Sequence, residues 1–176
     1  MPRDPSCTLG ANGVATFAHP PGAAVHLKRG GKTTIVKRTA QAHWQGDLKS
    51  GKGSLTSASQ VLSSTPYSFQ TRFENEKGTN PEELLAAAHA GCFTMALSAQ
   101  LAGAGLTADS LDTTCTISLE KGDGGFSITE SHLELKAKIP GATQEAFDTA
   151  VKNAETGCPV SKLYKTNITV SAVLEN

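Results

Sequence analysis

Cysteine is the residue type through which this sequence could do covalent chemistry, and the chain contains four. Cys92 lies in a long apolar stretch, and Cys158 directly precedes Pro159 at a predicted helix start, where backbone amides favour a thiolate. Both positions suit a reactive thiol, although a cysteine in an apolar helix is more often a small packed residue. Cys115, on an alternating stretch, and Cys7, near the N-terminus, are interpreted as bystanders.

A cysteine that reacts with peroxides needs a cation or a helix dipole nearby, because the thiolate is the nucleophile. Arg72 is the candidate cation before the apolar stretch. Glu82 and Glu83 follow a predicted helix start, where acidic side chains interact favourably with the helix dipole. Arg72 could instead be a solvent-exposed charge on a strand, which is the commoner environment of an arginine. The two glutamates could likewise do no more than stabilise the start of the helix.

His89 stands three residues before Cys92 and opens two further interpretations. The two side chains lie on neighbouring helical turns and could share a soft metal with Cys158, but neither a fourth ligand nor a Cys-x-x-Cys pair accompanies them. His89 could instead be the base of a cysteine hydrolase, but no Asn or Asp is identifiable as its orienting partner. A packed or hydrogen-bonded helix residue is the simplest interpretation, so we predict no metal and no bound cofactor.

The composition limits the classes of partner. The 176 residues include 16 basic and 16 acidic ones, so no overall field draws the chain onto nucleic acid or an anionic membrane. No apolar run approaches the roughly 20 residues of a membrane span, and no secretory signal is recognisable. We therefore expect a cytoplasmic protein whose disulfides are transient. Residues 1–31 are predicted to be a disordered or weakly ordered extension, and residues 32–176 a single domain.

Hydrophobic patterning predicts the elements that position these residues in the first half of the chain. Strands are predicted over residues 32–44, 55–62 and 67–73, the last with Arg72 on the face opposite its aromatic side chains. Residues 80–83, Asn-Pro-Glu-Glu, have the capping Asn and first-position Pro of a helix start. The helix continues to residue 101, and its almost wholly small or apolar side chains predict burial on most sides.

The second half of the chain has the pattern of a hairpin followed by helices. A glycine-rich turn at 121–125 separates two alternating runs, which predicts antiparallel strands over 111–120 and 126–139. An amphipathic helix over 143–155, a short helix over 160–165 and a final strand over 168–174 follow. This segregated order predicts an α+β fold whose sheet is antiparallel where hairpins dictate it.

Five motifs in order resemble one known family. They are Ala42-His-Trp-Gln-Gly-Asp, Thr71-Arg-Phe-Glu, Gly78-Thr-Asn-Pro-Glu-Glu-Leu-Leu, Ala87-Ala-His-Ala-Gly-Cys-Phe-Thr-Met and Gly157-Cys-Pro-Val-Ser. Together they resemble the OsmC/Ohr family of bacterial hydroperoxide reductases, from about Lys37 to the end of the chain. The OsmC branch of that family also carries a histidine at the position of His89, so the chain resembles that branch more than the Ohr branch.

The resemblance implies a fold, an activity and roles for four residues. The implied fold is an intertwined homodimer, in which antiparallel-rich sheets wrap around buried central helices and the active sites lie at the subunit interface. Cys92 would be the peroxidatic cysteine, Cys158 the resolving cysteine, and Arg72 with Glu82 the pair that assists the thiolate. The implied substrate is an organic hydroperoxide. A dithiol reductant, either a small molecule or a lipoylated protein, would complete the cycle.

The spacing of Glu82 and Cys92 restricts how such a site is built. Ten residues of continuous helix correspond to about 15 Å of rise, so the two side chains cannot touch. A kink in the helix could change the distance between the two side chains, or Arg72 could bridge them. Alternatively, Glu82 of one subunit could assist Cys92 of the other. A second hypothesis for the function is a stress-protective binding protein of the same fold with little catalytic activity.

Overall fold

The structure is a computed structural model that describes residues 35–74 and 76–175. Its first sheet is antiparallel, with strand order β1-β2-β3, and consists of Ala40–Gln45 (β1), Lys52–Ser57 (β2) and Thr65–Ser68 (β3). Gly53 pairs with both Trp44 and Tyr67, and a methyl group at Gly53 would lie 2.7 Å from the Trp44 ring. The sequence predicted this region as three strands, and the extension predicted over residues 1–31 lies outside the described residues.

The prediction of a third strand over residues 67–73 is wrong from residue 69 onward. Residues Phe69–Phe73 form a helix, α1, and the strand before it ends at Ser68. The Ser68 hydroxyl accepts a hydrogen bond from the Thr71 amide, and the Thr71 hydroxyl accepts one from the Ser68 amide. This capping box starts a helix despite the alternating aromatic residues, so Arg72 lies on a helix rather than on a strand.

The long apolar helix, α2, runs without interruption over Pro81–Gly103 and begins as predicted. Asn80 is its N-cap, with its side chain accepting a hydrogen bond from the Glu83 amide at 2.8 Å. The predicted burial on most sides does not occur within one chain, because only one face is buried; it comprises His89, Phe93, Leu97 and Leu101. Small side chains and Met95, which is 76% exposed, lie on the other side.

By length and composition α2 could also cross a membrane, with a mean hydropathy of 1.4. From the sequence we expected no apolar run long enough to span a membrane. The helix reaches that length because its glycine and alanine residues connect the larger apolar side chains into one continuous stretch. Phe93, Leu97 and Leu101 are nevertheless buried against the rest of the fold, and α2 packs on the second sheet and on the next helix. Within the described residues this packing buries 22% of the most apolar part of α2.

The second sheet has strand order β4-β5-β6, with Ser110–Gly122 (β4) antiparallel to Gly125–Lys138 (β5), and Asn167–Glu175 (β6) parallel to β5. Two helices lie between β5 and β6, namely Gln144–Gly157 (α3) and Pro159–Leu163 (α4). The α+β class and the antiparallel hairpin are therefore confirmed. The parallel pairing of β6 follows from the two helices that carry the chain back along the sheet.

The core lies between the second sheet and the helices α2 and α3. Alternate residues of β5 point into it, as the period of a half-buried strand requires. Phe147, Ala150, Val151 and Ala154 form the buried face of α3, as its sequence pattern predicted. The largest side chains of this core are Phe93, Phe147, Leu97, Leu101, Leu133 and Leu135, all at most 1% exposed.

The first sheet contributes little to this core. Within the described residues its strands contain no buried large apolar side chain, and β1 is exposed along nearly its whole length. Its close packing is internal or with α1. The Phe73 ring, at the end of α1, stacks on the Phe126 ring of β5 at a centroid distance of 5.3 Å. One face of this sheet and one face of α2 are therefore uncovered in a single chain.

Candidate active site

Two cysteine thiols face each other at the junction of α2 and α4. Cys92 lies on the second sheet's side of α2, packed against the core, and Cys158 is the residue that ends α3 and begins α4. Their Sγ atoms are 2.9 Å apart, and both thiols are free. Because a disulfide bond is about 2.05 Å long, the two sulfur atoms need to move only slightly closer to be joined once one of them has been oxidised.

The start of α4 surrounds both sulfur atoms with donors. Pro159 occupies the first helical position, where its missing N–H costs no hydrogen bond. The Val160 amide favours ionisation of both thiols, and the Ser161 amide and hydroxyl favour ionisation of Cys158, although the Cys158 side chain accepts no capping hydrogen bond at the start of α4. The motif Gly-Cys-Pro-Val-Ser thus places polar N–H and O–H groups near the inner thiol.

The two thiols differ in access. Cys158 is 0% exposed, whereas Cys92 is only partly buried. A peroxide arriving from solvent therefore meets Cys92 before Cys158.

The thiols also differ in their protonation. Burial, followed by the hydrogen bond with Cys158, raises the pKa of Cys92. Burial also opposes ionisation of Cys158, but the hydrogen bonds from Cys92 and from the start of α4 outweigh it and lower the pKa of Cys158. Among residues 35–74 and 76–175, no cation acts on Cys92 to lower its pKa.

Arg72 and Glu82 form a bidentate ion pair between α1 and the first turn of α2. Arg72 Nε lies 3.0 Å from Glu82 Oε2, and Arg72 Nη2 lies 2.6 Å from Glu82 Oε1. The side chains are 33% and 14% exposed, respectively. Arg72 and Glu82, which the sequence singled out together, pair with each other in the structure, and Arg72 is an exposed charge on a helix rather than on a strand.

This ion pair does not reach the thiols of its own chain. Because α2 is continuous from Pro81 to Gly103, a kink between Glu82 and Cys92 is excluded, and the two positions are separated by about 15 Å of helix rise. Arg72 is held at the beginning of that helix and does not span the distance. Within one chain, therefore, neither a kink nor a bridging Arg72 brings the ion pair to the thiols.

His89 is fully buried and hydrogen bonded to two serines. Its Nδ1 lies 2.6 Å from Ser131 Oγ on β5, and its Nε2 lies 2.9 Å from Ser161 Oγ on α4. Burial lowers the pKa of His89, so the ring is neutral at neutral pH. The interpretation as a hydrogen-bonded helix residue is confirmed, and the hydrolase alternative fails because both ring nitrogens are committed to serine hydroxyls.

The metal alternative also finds no support. Among residues 35–74 and 76–175, no group of three His, Cys, Asp or Glu side chains is arranged to hold a metal ion. A ligand set of His89, Cys92 and Cys158 would require His89 to give up a serine.

Tyr164 lies near the thiols, and the sequence did not single it out. The Tyr164 ring packs edge-on against His89 at 5.1 Å, and its hydroxyl donates to the Leu85 carbonyl at 2.9 Å. Burial and then the charges of the nearby cysteines raise the pKa of Tyr164. With Leu85, Ile128 and Leu163, Tyr164 lines an open depression of about 410 Å³.

Comparison with known proteins identifies the family. The profile of the family described as OsmC-like protein matches residues 74–173. Peroxiredoxin OsmC of Escherichia coli (strain K12) is 50% identical over 141 residues, covering 80% of this chain and 99% of that protein. The organic hydroperoxide resistance protein of Xanthomonas axonopodis pv. citri (strain 306) is 35% identical over 100 residues, covering 55% of this chain and 67% of that protein.

The fold of a solved relative agrees with this match. The crystal structure of the organic hydroperoxide resistance protein OhrB of Bacillus subtilis superposes with a TM-score of 0.57 at 28% identity. The superposition covers 78% of this chain and 98% of the OhrB chain. The chain therefore belongs to the OsmC-like protein family.

Proposed function

We propose that the protein is a thiol-dependent peroxidase that reduces organic hydroperoxides to alcohols. The observation that carries this proposal is the pair of free thiols 2.9 Å apart, one reachable from solvent and the other buried behind it. Such a pair can be oxidised at the outer thiol and closed by the inner one. The relatives named as a peroxiredoxin and as hydroperoxide resistance proteins support the same activity.

The reaction begins at Cys92 and ends as a disulfide. The Cys92 thiolate attacks the outer oxygen of ROOH, the O–O bond breaks, and the alkoxide leaves as the alcohol after taking up a proton. Cys92 is then a sulfenic acid. The Cys158 sulfur attacks the Cys92 sulfur and expels hydroxide, which leaves as water with the proton of Cys158, and the Cys92–Cys158 disulfide results.

The active site is proposed to form between two copies of the chain. Cys92 needs a cation, and the Arg72–Glu82 pair is held too far from the thiols of its own chain. In a homodimer the pair of one subunit can lie beside Cys92 of the other, where the guanidinium lowers the pKa of that thiol. The uncovered faces of α2 and of the first sheet provide surface for an intertwined assembly.

The relatives named as organic hydroperoxide resistance proteins support an organic rather than a strongly hydrated substrate. We propose that an external dithiol, either a small molecule or a lipoylated protein, reduces the disulfide by exchange. We place the enzyme in the cytoplasm, where such reductants keep thiols reduced.

Turnover with cumene hydroperoxide and a dithiol tests the proposed function. The wild-type protein should consume the hydroperoxide catalytically, and Cys92→Ser should lower turnover by at least about a hundredfold, because a serine hydroxyl is not ionised at neutral pH. Unchanged turnover in Cys92→Ser would contradict the peroxidase mechanism and favour the stress-protective binding role.

A further inference from the structure

Three contacts in regular order join α4 and its flanking residues to α2. They are Cys92 with Cys158, His89 with Ser161, and Leu85 with Tyr164. The positions on α2 are separated by four and three residues, and those along α4 by three, which is the spacing of one helix face. Because the order of contacts reverses between the two elements, α4 runs antiparallel to α2 with one face against it.

The two contacts beyond the thiols are polar and within normal hydrogen-bond distance. His89 Nε2 lies 2.9 Å from Ser161 Oγ, and the Tyr164 hydroxyl donates to the Leu85 carbonyl oxygen at 2.9 Å. The Tyr164 ring also packs edge-on against the His89 ring, at a centroid distance of 5.1 Å. The short helix is thus attached to α2 at its middle and just after its C-terminal end.

These contacts matter because α4 is too short to hold its own position. It is five residues long, and isolated helices of that length are not stable in water. Ser161 is its buried residue and Val160 is partly buried, whereas Leu163 is 72% exposed. The hydrogen bonds of Ser161 and Tyr164 therefore carry much of the attachment of α4, and with it the position of Cys158 at its start.

His89 is itself fixed from its other side. The side chain is 0% exposed, and its Nδ1 lies 2.6 Å from Ser131 Oγ on β5. A neutral imidazole donates through one nitrogen and accepts through the other, and a serine hydroxyl can take either role. The ring cannot turn without losing a buried hydrogen bond, so it holds Ser161 at a fixed place relative to the second sheet.

We propose that His89, Ser161 and Tyr164 are positioning residues that hold α4 against α2 and thereby keep Cys158 Sγ beside Cys92 Sγ. This inference rests on the proposed peroxidase function and assigns these residues to one of its steps. They set the rate at which the Cys92–Cys158 disulfide closes, whereas the attack of Cys92 on the hydroperoxide does not depend on them.

Closure competes with a second oxidation of Cys92. In closure the Cys158 sulfur attacks the sulfenic acid, the S–S bond forms, the S–O bond breaks, and the oxygen leaves as water with the proton of Cys158. In the competing reaction a second ROOH transfers one oxygen atom to the sulfenic acid, ROH leaves, and Cys92 becomes a sulfinic acid. A loosened α4 places Cys158 beside Cys92 for less of the time, so more sulfinic acid forms.

Tyr164→Phe is the most informative variant. It removes the hydroxyl but keeps the ring, and the Leu85 carbonyl retains its hydrogen bond within α2, so no buried polar group is left unpaired. The hydroxyl bonds to a carbonyl seven residues before Cys92, about 10 Å along the helix, and not to either sulfur.

Two further variants complete the set. Ser161→Ala removes the contact with His89. Thr94→Val is the matched control on α2, because it removes a hydroxyl that bonds to Thr113 Oγ1 of β4 at 2.7 Å and not to α4.

The two steps can be timed separately in the full-length protein. After mixing with cumene hydroperoxide, samples are quenched at intervals, and mass spectrometry measures the sulfenic acid, the disulfide and the sulfinic acid of Cys92. The rate of the first oxidation depends on hydroperoxide concentration, and the closure rate does not.

Tyr164→Phe and Ser161→Ala should each close roughly threefold to tenfold more slowly than the wild type, the effect of one lost hydrogen bond. The sulfinic acid formed per turnover should rise by a similar factor, while the first oxidation of Cys92 should change less than about twofold. In Tyr164→Phe the pH midpoint of closure should stay at the wild-type value, because the lost hydroxyl does not bond to a thiol. Thr94→Val should close at the wild-type rate.

Closure at the wild-type rate in both Tyr164→Phe and Ser161→Ala, or an equal slowing of oxidation and closure, would overturn the positioning role. A wild-type protein whose Cys92 is not oxidised at all would instead contradict the proposed function. If Ser161→Ala does not fold, as judged by circular dichroism, Tyr164→Phe decides, because it leaves the buried hydrogen bonds of His89 intact.

Discussion

At the scale of single residues, Cys92 and Cys158 are distinguished by access rather than by position in the sequence. The thiol that solvent reaches is the one in the apolar helix, and the thiol with more hydrogen-bond donors is buried behind it. In the proposed mechanism, this arrangement protects Cys158 from direct oxidation and leaves a sulfenic acid on Cys92 within reach of Cys158.

Replacing the inner thiol should separate oxidation from closure. In Cys158→Ser, Cys92 should still react once with cumene hydroperoxide, but catalytic turnover with a dithiol should fall by at least about tenfold, and sulfinic acid should accumulate on Cys92. Mass spectrometry of the oxidised protein measures both products. Cys7→Ser is the matched control and should behave as the wild type, whereas full turnover in Cys158→Ser would show that Cys158 does not resolve Cys92.

His89 should make stability depend on pH. Its pKa is lowered in the folded state, below the ordinary value of 6.5, so the unfolded chain binds the proton more readily. Stability is therefore fully present above pH 6.5 and decreases as the pH falls, by up to about 1.4 kcal/mol per pH unit. Urea unfolding at pH 7.5 and 5.5 should show a larger loss for the wild type than for His89→Gln. An equal loss in both would contradict a buried neutral histidine.

The thiols and the Arg72–Glu82 pair could be predicted from motifs, whereas the residues around His89 could not. Ser131 comes from the middle of β5, and Ser161 lies 72 residues after His89. Nothing in their local sequence marks a buried serine, because only the packing of α2 against β5 and α4 brings the three together. Ser161 is the last residue of the Gly157-Cys-Pro-Val-Ser motif, and that position was the one available signal.

At the scale of elements, local capping overrode hydrophobic alternation before α2. Residues 67–73 alternate aromatic and polar side chains, which predicts a strand, but Ser68 and Thr71 exchange hydrogen bonds that start a helix. The turn brings Arg72 to the N-terminus of α2, where Glu82 binds it. The sequence therefore predicted a strand where Arg72 lies on a helix, but it correctly singled out Arg72 and Glu82 as a pair.

The start of α2 positions Glu82, so its cap should matter for stability. Asn80→Ala removes the side-chain acceptor of the Glu83 amide and should lower the free energy of unfolding by about 1 kcal/mol. Asn153→Ala, at an exposed position within α3, should be neutral or slightly stabilising, because alanine is the better helix former. Urea denaturation compares the two variants, and equal stabilities would contradict the capping role.

At the scale of the whole molecule, a second copy of the chain would account for both the uncovered surfaces and the cation that Cys92 needs. The first sheet has no core of its own, and α2 has one exposed face that includes Met95. The sequence indicated a helix that needs cover on most sides, and a single chain provides it on one. A second copy would cover these faces and bring a cation to Cys92.

Mixed dimers should reveal a site shared between subunits. Cys92→Ser and Arg72→Ala homodimers should each be nearly inactive, but coexpression should restore about a quarter of wild-type turnover, because half of the dimers are mixed and each has one intact site. Turnover of the purified coexpressed protein with cumene hydroperoxide checks this. Coexpression that restores nothing would contradict a shared site, since an intrachain site leaves every chain defective.

The most direct test of the central claim is non-reducing mass spectrometry of the wild-type protein after one equivalent of cumene hydroperoxide. The account predicts a single new intramolecular disulfide, joining Cys92 to Cys158, with the masses of peptides containing Cys7 and Cys115 unchanged. Sulfinic acid on Cys92 without that linkage, or a disulfide that omits Cys92, would contradict the assignment of the two thiols.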